Sequence, residues 1–172
     1  FHANISDLDP ENVNGKLRIT DFKFINDKTM VPLDTIKVDV FSNTATNNFY
    51  FHSQVLDASV IGKYKIEDVA TLFKQTLSNY FNISDINSEY IPTNNTFFTL
   101  NATVKNNNVL YRLLPELESF KTAKINAWYK ANADAFSINI NLPDLIYGAN
   151  NFSNIVFKTY TEDNKIDYNF SI

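Results

Sequence analysis

Apolar and polar side chains alternate along most of this chain with the period of two expected of a half-buried β-strand. Leu17, Ile19, Phe22 and Phe24 form the first clear run, and its phase slips at Thr20-Asp21, which predicts a β-bulge. Asn14-Gly15 before it is a turn signal, and Asn26-Asp27-Lys28 breaks the chain after it. Ile36, Val38 and Val40 then alternate with Lys37, Asp39 and Phe41. Asn47-Asn48 turns the chain into Phe49, Phe51, Ser53 and Val55, interleaved with Tyr50, His52 and Gln54.

The stretch from Leu56 to Phe81 breaks the rule. It opens as a strand, with Ala58, Val60 and Gly62 on one side and Asp57, Ser59 and Lys63 on the other. It then changes to the helical period. Ile66, Val69, Ala70, Phe73, Leu77, Tyr80 and Phe81 form one stripe of an amphipathic helix over 66–81. Burying such a stripe is worth on the order of 10 kcal/mol gross, so the helix requires an apolar seat.

A polar stretch follows from Asn82 to Asn95. Phe98, Leu100, Ala102 and Val104 then alternate with Thr99, Asn101 and Thr103. Asn106 to Asn108 supply an N-cap for a short helix to about Leu114, with Val109, Leu110, Leu113, Leu114 and Leu117 on one side and Pro115 at its end. Glu116 and Glu118 beyond Pro115 read as a solvated turn. Strand alternation resumes at Ile125, Ala127, Tyr129 and Ala131, and again at Phe136, Ile138, Ile140 and Leu142. It ends with Ile155, Phe157 and Thr159, then Ile166, Tyr168, Phe170 and Ile172. Turns are expected at 132–134, 147–151 and 162–164.

One face of every run is apolar, and the other is Asn, Ser, Thr, Lys and Asp. This predicts a mainly β fold with two helices: an antiparallel or mixed sheet with one dry and one wet face, and both helices packed on the dry face. Two such sheets facing each other make a sandwich, whereas one curled sheet makes a half-pipe or barrel. The 172 residues suit a single domain. The chain opens and closes inside strand patterns, which leads us to expect a segment of a longer protein.

Composition narrows the chemistry. The chain has no cysteine, which excludes disulfides, thiol nucleophiles and cysteine metal sites. A net charge of -4 with scattered Lys and Arg argues against a nucleic-acid partner. No apolar run approaches the length of about 18 residues that a membrane-spanning helix needs. Asn makes up 25 of 172 residues, and at this content chance accounts for the six N-x-S/T sequons.

Candidate catalytic groups are sparse. His2 and His52 are the only histidines, without metal-ligand spacing, and His52 reads as solvated surface. Glu67 and Asp68 fall in the first turn of the 66–81 helix, where they complement its dipole. Neither a phosphate loop nor a nucleophile elbow is present. Trp128 with Tyr129 and Tyr147 is a candidate sugar-stacking platform, although an aromatic girdle on the sheet accounts for them better. An enzyme is not expected, and neither a metal nor a cofactor.

The run Asp57-Ala58-Ser59-Val60-Ile61-Gly62-Lys63-Tyr64, leading into Ile66 to Phe81, resembles a strand-helix unit of the Bacteroidetes TamB-type translocation and assembly module family. Asn12 to Asp21, the run Leu110 to Leu117 and Tyr147 to Ile155 are similar to further segments of the same family. The family belongs with the AsmA-like proteins, which are anchored in the inner membrane. They cross the periplasm as a curled sheet with an apolar interior, the β-taco.

The resemblance implies an internal segment of a periplasmic conduit that moves phospholipid and supports outer-membrane biogenesis. Phospholipid acyl chains would be its ligand. An outer-membrane barrel assembly protein would be its partner, reached through regions outside these residues. The expected lining is Leu17, Ile19, Ile36, Val38, Val40, Val60, Leu100, Val104, Ile125, Ala127, Ile138, Ile140, Phe157, Tyr168 and Phe170. The 66–81 stripe would plug or gate this groove. The same apolar face would also serve as an ordinary β-protein core. An alternative function is an assembly module that pairs open sheet edges with other strands. A carbohydrate-binding surface near Trp128 is a third.

Overall fold

The computed structural model describes residues 2–7, 14–26, 29–65, 95–162 and 165–172. Among them, eleven strands form one open sheet. In chain order they are β1 (His2–Asp7), β2 (Asn14–Asn26), β3 (Thr29–Ser42), β4 (Asn47–His52), β5 (Leu56–Lys63) and β6 (Phe97–Val104), then β7 (Leu117–Phe120), β8 (Ala123–Lys130), β9 (Ala135–Tyr147), β10 (Asn150–Glu162) and β11 (Lys165–Ser171). One α-helix, α1 (Asn108–Leu113), and a 3-10 turn (Ala131–Ala133) interrupt them. Every pairing is antiparallel, so the mixed sheet allowed by the sequence does not occur.

Sheet order follows chain order except at β7, which pairs with β9 beside β8. β7 and β8 act as one interrupted strand. Phe120 faces Leu145 and Lys124 faces Asn141 in the same register, and the Lys121 N–H donates to Asp144 O at 2.9 Å across the gap. Glu118 therefore lies on a strand, not in the solvated turn expected from Pro115. Leu117 and Phe120, both buried, anchor this short strand.

Strand lengths shape the sheet. The hairpins β2–β3 and β9–β10 have strands of 13 and 14 residues, whereas β4, β5, β6 and β8 have six to eight. Both long hairpins extend beyond the short strands at the same end. Each bends at a residue in the left-handed region, Asp21 (φ 55°) in β2 and Asn154 (φ 57°) in β10. Asp and Asn tolerate this conformation better than other side chains.

The expected bulge at Thr20-Asp21 is therefore a different device. Thr20–Thr35 and Phe22–Leu33 keep one register across the bend, so no extra residue is inserted. Only the Asp21–Asp34 pair is lost. In β10, the lost pair is Asn154 with Pro143, which has no N–H to contribute to a ladder. Burial changes phase at these bends: Val31 and Leu33 are sheltered before Asp34, Ile36 and Val38 after it.

α1 lies between the two projecting hairpins. The Asn107 side chain accepts the Val109 N–H at 3.0 Å, as a capping Asn should. The helix closes with the Leu114 N–H on Leu110 O at 2.9 Å, directly before Pro115. Arg112 donates to Met30 O of β3 at 2.6 Å, and the Tyr111 ring meets Phe120 of β7 at 6.0 Å between centroids. The apolar stripe expected here divides: Val109 is buried, whereas Leu113 and Leu114 are exposed and Leu117 belongs to β7. Six residues make fewer than two turns, too few to present one continuous face.

The main buried cluster is Val60, Tyr64, Phe98, Tyr129 and Phe136. The Tyr64 ring packs edge-on to Phe98 at 5.8 Å, and Phe98 lies 5.6 Å from Tyr129. Tyr64 OH donates to Val60 O at 2.8 Å. Burial and then the nearby Tyr50 push its pKa up to about 12, so it remains a donor at ordinary pH. The helix expected over 66–81, including Ile66, Val69, Ala70, Phe73, Leu77, Tyr80 and Phe81, lies outside the described residues, as do Glu67 and Asp68.

Candidate functional site: the apolar sheet face

Directly opposed residues in an antiparallel ladder point to the same face. Leu17, Val38, Phe51, Ala58, Ala102, Ile125, Ile140, Phe157 and Phe170 are opposed in sequence from β2 to β11. This single row is apolar at every position. At about 4.8 Å per strand it spans roughly 40 Å. The next row runs Val40, Phe49, Val60, Leu100, Ala127, Ile138, Thr159 and Tyr168. Ile19 faces Ile36, and Leu56 faces Val104, on the same side.

Register thus brings all the residues expected to line a groove onto one face. Phe49, Phe51, Ala58, Ala102 and Thr159 also lie there. Phe49, Phe51 and Thr159 were all visible in the alternation, and the Thr159 hydroxyl is satisfied locally. It donates to Asp167 O at 2.9 Å, and the residue is buried. Shelter varies along the rows. Val60 and Ala127 are buried, whereas Tyr168 and Phe170 at the β11 edge are 71% and 59% exposed.

The opposite face is built from different chemistry. Its matching row is Lys16, Asp39, Tyr50, Ser59, Asn101, Asn126, Asn139, Lys158 and Asn169. Asn126 donates to Asn101 at 2.7 Å across β8 and β6. The expected Trp128, Tyr129 and Tyr147 group is dispersed. Tyr129 is buried in the apolar cluster, Tyr147 is exposed at the end of β9, and Trp128 lies on the polar face beneath Lys130, 5.5 Å from its ring centroid. Adjacent strand residues point to opposite sides, so Trp128 and Tyr129 share no surface.

Among the described residues, the polar face carries an ionic cluster around Asp57. Asp57 on β5 meets His52 of β4 at 2.6 Å and Lys105 at 2.6 Å. Lys105 also donates to Ser53 O at 2.8 Å, which ties the β4–β5 turn to the end of β6. Burial opposes the Asp57 charge, but Lys105 and then His52 outweigh it and hold the carboxyl below its ordinary value of 3.8. The group contributes stability above that value and loses it as pH falls through the lower folded one.

Since Asp57 is 44% exposed, the contribution is below about 1 kcal/mol. Urea midpoints measured near neutral pH and again below the ordinary Asp range should differ less for Asp57→Asn than for the unaltered chain. Equal differences would remove the cluster from the pH response.

His52 is more than half exposed, as expected, and one of its ring nitrogens meets Asp57. Among the described residues no three His, Cys, Asp or Glu side chains gather in a metal-binding geometry. No helix among them is long and apolar enough to cross a membrane. No family model, curated protein or solved structure matches the chain.

The arrangement offers a broad, dry surface with hardly any hydrogen-bonding side chains, backed by a wet one. Such a surface suits long hydrocarbon chains, which gain from leaving water and require no directional partner.

Proposed function

We propose that this chain is a segment of a lipid-conducting β-groove, of the TamB-type and AsmA-like kind, in the periplasm of a protein anchored to the inner membrane. The sheet curls around its apolar face as a β-taco or half-barrel, and phospholipid acyl chains lie against that face while headgroups remain in water. The segment would support outer-membrane biogenesis, with an outer-membrane barrel assembly protein engaged by other regions. The 66–81 stripe would cover part of the groove as plug or gate. The observation that carries this reading is the apolar row from Leu17 to Phe170, unbroken by a polar side chain. A closed core needs apolar contacts only where it is closed, yet here the apolar row continues to exposed positions at the edge.

Titration with a fluorescent fatty acid tests the reading. Tyr168 and Phe170 are exposed enough to change without disturbing the interior. The double substitution Tyr168→Asp/Phe170→Asp should weaken binding about tenfold or more, a loss of about 1.4 kcal/mol or more. Ser171→Asp, on the other face of β11, should bind as the unaltered chain does. Equal affinity in all three would count against the groove.

A second reading is a β-edge assembly module. It draws on the outer edge of β11, which has no strand partner among the described residues. Capture of peptide strands, abolished by proline in β11 and independent of Tyr168 and Phe170, would favour it.

A further inference from the structure

A shallow depression of about 780 Å³ lies over β9, β10 and β11, and Ile138, Thr159 and Tyr168 of the second apolar row are among the residues that border it. Its polar-face lining includes Ser137, Asn139, Lys158, Tyr160, Asp167 and Asn169. Ser137, Tyr160 and Asp167 form one row through it, each directly opposite the next, and the row continues beyond the depression to Trp128 of β8. Two aromatic residues thus stand two strands apart, about 10 Å, with only a serine between them. Tyr160 is 46% exposed, one of several exposed rings on the polar face with Phe41, Tyr50 and Phe97.

The polar groups of this depression are unspent. The side chains of Ser137, Asn139, Lys158, Asp167 and Asn169 make no hydrogen bond or ion pair among the described residues. Other groups on the polar face are paired, among them Asn126 with Asn101 and Asp57 with His52 and Lys105. The depression therefore combines an exposed ring, free amides and one free charge of each sign. The two charges offset each other, which disfavours a strongly anionic or cationic ligand.

We propose that this depression binds an uncharged saccharide chain. A pyranose ring presents a C–H face that packs on an aromatic side chain, and hydroxyls at its rim that exchange hydrogen bonds with carboxylate, amide and ammonium groups. Tyr160 is the stacking platform. Asp167 accepts from one hydroxyl pair, and Asn139, Asn169 and Lys158 complete the rim. Trp128 provides a second platform once the flexible Lys130 side chain swings off its ring. The separation of the two platforms accommodates adjacent sugar units of one chain. This site is independent of the lipid reading, since every polar group it uses points away from the apolar rows.

Calorimetric titration with cellohexaose and with chitohexaose tests the proposal. The two probes distinguish a plain glucan from an N-acetylated glycan as the source of the same chemistry. At least one should bind with a Kd of about 1 mM or tighter. Tyr160→Ala and Asp167→Asn should each weaken that binding about tenfold or more, whereas Tyr160→Phe should retain it, because the ring and not the hydroxyl carries the stacking. Phe170→Ala, on the other face of the neighbouring strand and outside the depression, should also retain it, and circular dichroism should be unchanged in all four. Failure of both saccharides to bind would overturn the proposal. So would unaltered affinity in Tyr160→Ala, or saturable binding of a phosphate ester in place of either sugar.

Discussion

Gly62→Ala should be among the most destabilising single substitutions in this sheet, by about 3 kcal/mol or more. Gly62 lies on β5 opposite Phe98 of β6. A Cβ added there would meet Phe97 O and stand 2.5 Å from Phe98 Cα, both backbone atoms of the neighbouring strand. No side-chain rotation relieves such an overlap, so the strands must separate. β5 and β6 join the two halves of the sheet, since among the described residues the strand pairing of β1 to β4 continues to β8 through β11 by this pair. A lower urea midpoint with an unchanged slope is expected, together with faster amide exchange in β5 and β6. A midpoint equal to that of the unaltered chain would mean that the strands part without cost.

Phe98→Ala should cost about 3–5 kcal/mol. The side chain is 1% exposed and stands between the Tyr64 and Tyr129 rings. Truncation opens a cavity beneath two rings held in edge-on and tilted contact, and also removes that aromatic pairing. Leu100→Ala, one step along the same strand face and only half-buried, is the appropriate comparison and should cost less. Chemical denaturation of both variants checks the order. A larger loss at Leu100 would place the centre of stability in the apolar row, away from the aromatic cluster.

The division into two faces was legible because it depends on period alone. Once Val38 and Ile138 are known to lie on strands, alternation decides which residues share their side. The short helix was legible at its ends, where Asn107 caps and Pro115 stops it. Its position was not, because a bridge from Arg112 to Met30 links residues 82 positions apart. The phase slip at Asp21 was visible, but not its cause. An extra residue and a left-handed residue shift the apolar pattern alike, and only the register separates them.

The polar-face depression was missed for a related reason. Trp128 drew attention to its chain neighbour Tyr129, which the strand places on the other side, whereas its companion in the row, Tyr160, arrives from β10 through pairings with Ser137. The aromatic cluster was half visible: Phe98 and Phe136 fit the alternation. Tyr64 lies beyond the end of β5, where no period applies, and is held by its hydrogen bond to Val60.

The central claim is that acyl chains lie on the apolar face. A photoreactive amino acid at Val38 or Ile138, both on that face, should capture phospholipid when the chain operates in cells. The same group at the adjoining Lys37 or Asn139 should not. Capture from Lys37 and Asn139 with none from Val38 and Ile138 would contradict the account.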